Sequence, residues 1–137
     1  MLVDMVKKYY GEKYDLNCAE TLIYAANEEY KLNLSKETFK TMAAFGGGMA
    51  VEGTCGVITG SICVIGIMFT KDRAHESDYV KTLTQEFIEN FKKECNAVNC
   101  DELKALYRDE NIRCYSIVEK GAIILDNIIT REKQRII

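Results

Sequence analysis

Six of the chain's nine glycines fall in one short stretch, Phe45–Gly46–Gly47–Gly48–Met49–Ala50–Val51–Glu52–Gly53–Thr54–Cys55–Gly56–Val57–Ile58–Thr59–Gly60. Glycine loses more backbone entropy on ordering than any other residue. A folded domain therefore keeps three in a row only where it needs positive φ or close backbone approach. Thr54 then offers an N-cap, and the residues after it stay apolar through Ser61, Ile62, Cys63, Val64, Ile65 and Met68. The stretch predicts a tight loop that feeds a central buried helix, with Cys55 in the first turn. A cysteine there feels the positive end of the helix dipole and unpaired N–H groups, which favours thiolate over thiol.

The rest of the chain supplies helices to surround it. There is no proline to interrupt an apolar stripe. Leu2, Met5, Val6 and Tyr9 repeat at helical spacing until Gly11. Asp15 or Asn17 caps a second helix that turns Cys18, Leu22, Ala25 and Ala26 inward, and a third starts at Ser35 and carries Phe39, Met42, Ala43 and Phe45 up to the glycines. Gly56, Gly60 and Ser61 give the fourth, central helix a smooth face for a close neighbour. Ser77 caps a fifth, with Val80, Leu83, Phe87, Ile88 and Phe91 in its stripe. Asn99 starts a short sixth, and a last helix runs from about Arg113. Residues 121–129 are rich in β-branched side chains, but their apolar spacing continues helically on both sides. The expectation is an all-α single domain over residues 1–137, a bundle of about six or seven helices, with 47% apolar residues to fill its core.

Composition narrows the function. A net charge of −3 gives no footprint for nucleic acid. The longest apolar run, residues 62–69, is far short of the ~20 residues that cross a bilayer. The N-terminal Asp4 precedes Lys7 and Lys8, an order opposite to that of a signal peptide, so the expected location is the cytoplasm. The glycine run lacks the Lys-Ser/Thr of a phosphate-binding loop, and no Ser/His/Asp arrangement or paired carboxylate supports hydrolysis. His75, the only histidine, sits in a polar loop as a solvated residue. The tyrosines at 9, 10 and 14 either cover the core or form a homodimer contact.

Six cysteines are many for a reducing compartment, where thiols stay unpaired and metal or redox chemistry becomes the question. Asn17–Cys18–Ala19–Glu20, Thr54–Cys55–Gly56–Val57 and Asn99–Cys100–Asp101–Glu102 each place a cysteine directly after a capping residue, and Cys114 stands near the start of the last helix. Burial alone would not choose those positions. Cys63, eight residues after Cys55 and roughly 80° around the helix, reads as core packing, and Cys95 as packing or a resolving thiol. Soft thiolates bind zinc or iron–sulfur clusters, and four complete either kind of site.

These motifs give the chain its resemblance. It resembles the C_GCAxxG_C_C family of redox-active proteins across roughly residues 17–129. The likeness rests on Asn17–Cys18–Ala19–Glu20, on the triple glycine followed by Thr54–Cys55–Gly56–Val57–Ile58–Thr59–Gly60, on Cys100–Asp101–Glu102–Leu103, and on Cys114. The central motif reads Thr-Cys-Gly where the family name has Gly-Cys-Ala. The resemblance marks Cys18, Cys55, Cys100 and Cys114 as the shared redox or metal-ligating set. Gly46, Gly47, Gly48, Thr54 and Gly56 are the residues expected to line the site. A similar cysteine domain occurs in the split-Soret type of cytochrome c beside haem, with an iron–sulfur centre. This chain has no Cys-x-x-Cys-His, so no haem is expected.

Three readings stay open at this point. In the first, the four thiols hold an iron–sulfur cluster, with [2Fe–2S] as one form of it, and pass electrons to another redox protein. Alternatively, two of them form a catalytic dithiol/disulfide pair, or all four hold structural zinc in an assembly domain.

Overall fold

Two helices begin at side-chain caps, the second at Asn17 and the third at Ser35. In the computed structural model, which describes residues 1–135, α1 spans Leu2–Tyr9, α2 Cys18–Tyr30 and α3 Lys36–Lys40. The central α4 spans Gly56–Phe69, followed by α5 at Tyr79–Cys95, α6 at Cys100–Tyr107 and α7 at Tyr115–Arg135. Among the described residues there is no strand, only two isolated bridges, Thr54 with Asn99 and Asp109 with Arg113. The chain is all-α, and the β-branched run at 121–129 lies inside α7.

Asn17 caps α2 reciprocally: its side chain accepts the Glu20 N–H at 2.7 Å, and its own N–H donates to Glu20 Oε1 at 2.9 Å. The same side chain fixes the loop ahead, because Asn17 Nδ2 donates to the Ala43 carbonyl at 3.1 Å. The third helix is shorter than its apolar pattern predicts. It stops at Lys40, and residues 43–45 form a separate 3₁₀ turn. The Thr41 hydroxyl bonds back to the Thr38 carbonyl at 2.5 Å, and the Ala43 carbonyl is turned toward Asn17 instead of along a helix.

α4 is the buried centre, packed against α2, α5 and α7, with α1 laid across α2 and α7. Gly60 makes the α2 contact close, since a Cβ there would stand 2.8 Å from the Ala19 carbonyl oxygen. The start of α4 lies one residue from its expected place. Cys55, with extended backbone (φ −56°, ψ 136°), is the N-cap, and its carbonyl accepts the Ile58 and Thr59 N–H groups at 3.0 and 3.1 Å. Thr54 is drawn away by its bridge to Asn99.

On α5 the buried stripe is Leu83, Phe87, Phe91 and Cys95. Burying each phenylalanine contributes about 1.5–3 kcal/mol, and the two rings stack 6.0 Å apart. α7 answers with Ile117, Val118, Leu125, Ile128 and Ile129. Two carboxylates are buried with partners: Asp126 takes the Leu2 N–H and the Tyr30 hydroxyl, and Glu132 takes the Tyr79 hydroxyl and two arginines. This packing leaves the N-termini of α2, α4, α6 and α7 near one another, under the loop of residues 46–53.

Candidate functional site

Each of the four signature cysteines sits at a helix N-terminus. Cys18 and Cys100 are the first residues of α2 and α6, and Cys55 caps α4. Cys114 stands just ahead of α7, with its carbonyl accepting the Ile117 and Val118 N–H groups at 3.0 and 3.2 Å. Backbone pairing draws the elements together: Cys100 N–H donates to Gly53 O at 2.6 Å and Cys55 N–H to Val98 O at 2.9 Å. All six cysteines are free thiols. Cys55, Cys100 and Cys114 are buried, and Cys18 is buried in part.

The thiols feel one another. Burial, then Cys55, Cys114 and Cys100 in that order, push the Cys18 thiol up to about 12. Burial likewise pushes Cys55 up to about 12, although the Val57 and Ile58 N–H groups hydrogen-bond its sulfur and Cys100 and Cys114 act against them. Cys100 is also raised, by burial first, with Lys104 opposing. The expected thiolate at the start of α4 is therefore a neutral thiol near neutral pH. The helix end and its N–H groups do favour the anion, but removing the sulfur from water outweighs them. Deprotonation needs a compensating cation in the nest.

Several neighbours escaped the sequence reading. The Tyr10 hydroxyl accepts the Cys114 N–H at 3.2 Å, and by hydrogen bonding it moderates the rise at Cys18. Arg113 lies over the Tyr10 ring, 4.5 Å from its centroid, and donates to the Tyr10 carbonyl at 3.0 Å. Arg108 Nη1 donates to Cys114 Sγ at 3.4 Å, the one guanidinium given a sulfur partner among the described residues. Tyr10 is thus part of the site's wall; the neighbouring Tyr9 packs on Tyr14 and Tyr24 instead. The run Tyr9–Tyr10–Gly11 was a visible signal, but nothing local ties it to residue 114.

The expected lining residues fall into distinct positions. A Cβ on Gly48 would stand 2.7 Å from Cys100 Cβ, and one on Gly56 3.4 Å from Cys18 Cβ. Gly46 lies against the Asn17 side chain, next to Cys18, and Gly47 faces open space. Thr54 bridges to Asn99, the residue before Cys100. The other cysteines stand apart. Cys95 is fully buried, with Lys120 and Glu94 as its charged neighbours, and half-buried Cys63 is shifted by burial alone. His75 is exposed.

Four soft donors from four helix ends, with N–H groups and a guanidinium turned toward sulfur, suit a metal–sulfur group chemically. Among the described residues no group of three His, Cys, Asp or Glu side chains is placed to hold a single metal ion. Zinc would need every sulfur about 2.3 Å from a common centre, whereas a cluster shares its four cysteines among several irons.

Fold and site together define a helical domain organised around cysteines at helix N-termini. The family model for "Putative redox-active protein (C_GCAxxG_C_C)" matches residues 16–128, and the chain belongs to that family. No significant match exists among curated proteins or solved structures. No described helix is long and apolar enough to cross a membrane.

Proposed function

We propose that this redox-active protein carries an iron–sulfur centre on Cys18, Cys55, Cys100 and Cys114 and serves as an electron carrier or accessory redox module. The observation that carries the reading is the convergence of four thiols from four helix N-termini, with Cys55, Cys100 and Cys114 all close enough to act on Cys18. Buried neutral thiols resist ionisation alone, but a cationic centre deprotonates its ligands, and each bound sulfur then releases a proton. When bound, the centre would supply one-electron chemistry. The chain's own contribution is to orient the sulfurs, exclude water and place N–H donors, Tyr10 and Arg108 around them, the levers that set a centre's potential.

The dithiol reading has less support. Exchange begins from a thiolate, and Cys18 and Cys55 at about 12 are almost wholly protonated near neutrality. The test is the visible absorption spectrum of freshly isolated anaerobic protein, with iron and acid-labile sulfide assayed on the same sample. Charge-transfer bands with both elements present are expected. Colourless protein that stays colourless after incubation with iron and sulfide would overturn the proposal.

A further inference from the structure

Residues 47–50 form a left-handed turn, an arrangement that L-residues rarely adopt in sequence. Their φ values are 63°, 63°, 61° and 63°, and two of the four are not glycine but Met49 and Ala50. Glu52 follows at φ 56°, and the turn is closed by Gly53 N–H donating to Gly48 O at 2.9 Å. Backbone held this way calls for a purpose. One consequence is plain in the exposure: Met49 is 42% and Val51 78% exposed.

The two side chains form one patch. Met49 Cε and Val51 Cγ2 approach the Cβ position of Gly53 to 3.9 and 3.8 Å, so both lie over that residue. Gly53 is the residue whose carbonyl accepts the Cys100 N–H. Beside the patch stand two exposed carboxylates, Glu52 next to Val51 in the chain and Asp101 next to Cys100. Lys104, 3.5 Å from Glu52, is the cation among them. Glu52 and Asp101 are close enough to raise the Cys100 thiol. An apolar patch flanked by two carboxylates thus lies at the residue that is hydrogen-bonded to Cys100.

We propose that residues 49–51 are the docking face for an electron-transfer protein that carries lysines and arginines around its own redox centre. Met49 and Val51 supply the water-excluding contact, with methionine adapting to the opposing surface. The carboxylates steer the basic rim and set its orientation, as suits a small, short-lived interface. One electron passes from the reduced centre of this chain to the oxidised centre of the partner, and no bond forms or breaks. The electron path rests on the metal-centre reading; the docking itself does not.

The probe is cytochrome c, a small basic protein with an exposed haem edge, whose ferric iron becomes ferrous on accepting the electron. Amide shifts of the isotope-labelled full chain, titrated with cytochrome c, should map to residues 47–53 and 100–104 and vanish in concentrated salt. The double variant Met49→Ser/Val51→Ser should raise Kd about tenfold with an unchanged circular dichroism spectrum. Loaded and reduced, it should also pass electrons to cytochrome c several-fold more slowly than wild type, while reducing a neutral quinone at the wild-type rate. Shifts centred elsewhere, or a Kd untouched by the variant and by salt, would overturn the docking face. Mapped shifts with no electron transfer to either acceptor would uphold the face and sink the metal-centre reading instead.

Discussion

The Tyr10 hydroxyl touches the cysteine nest at two places, the Cys114 N–H and the Cys18 thiol. Replacing it in Tyr10→Phe strands the buried Cys114 N–H and removes the polar neighbour of Cys18. A loss of about 1–2 kcal/mol is expected in urea unfolding, with a shifted midpoint in redox titration of the loaded protein. Ser61 gives the opposite case, because its hydroxyl is the one buried side-chain polar atom without a hydrogen-bond partner among the described residues. Ser61→Ala should raise the unfolding midpoint, a gain of up to about 1 kcal/mol, as a desolvated orphan group disappears. The thiols set a pH dependence whose sign is fixed. An unfolded cysteine titrates at about 8.5, and Cys18 and Cys55 titrate at about 12 when folded. The folded metal-free chain holds protons that the unfolded chain gives up, so stability present below about pH 8.5 is lost as pH climbs toward 12. Urea midpoints across that range check this, and Cys18→Ala should make the fall shallower. Cys18, Cys55 and Cys100 were legible because each follows a residue type with capping chemistry, whereas Cys114, after Arg113, was marked by its place near the start of the last helix. Tyr10 and Arg108 were not, since their roles arise from contacts between segments.

At the scale of elements, capping explains what succeeded and what failed. Asn17 with Glu20 marked the start of α2, and the glycines of α4 marked the side on which α2 lies close. The third helix fell short because Asn17 captures a carbonyl that an α-helix would have used, a competition between segments that periodicity does not contain. The glycine stretch revealed that positive φ would be needed, and Gly47 and Gly48 have it. It did not reveal that Met49 and Ala50 continue the same left-handed turn. Gly48→Ala should cost about 2–4 kcal/mol, since the new methyl meets both Gly53 backbone and Cys100. Ala50→Gly, in contrast, relieves a left-handed alanine and should stabilise by up to about 1 kcal/mol in the same urea assay. A pair of opposite signs two residues apart would be hard to explain by general loop disorder.

For the molecule as a whole, the helical order and the buried position of α4 followed from apolar spacing, as did the exclusion of a membrane-length helix. The ionisation state of the site did not follow. It depends on depth of burial, which a helix-dipole argument from sequence leaves out. The centre should bind more tightly as pH rises, because protonated thiols must each surrender a proton. Cys18, Cys55, Cys100 and Cys114 are proposed to hold one iron–sulfur centre. The most direct measurement is iron and acid-labile sulfide per chain after anaerobic reconstitution, compared across six single Cys→Ala variants. Bound iron and sulfide are expected in wild type, Cys63→Ala and Cys95→Ala, with a large loss in each of the other four. Equal loading in all six variants, or none in wild type, would contradict that proposal.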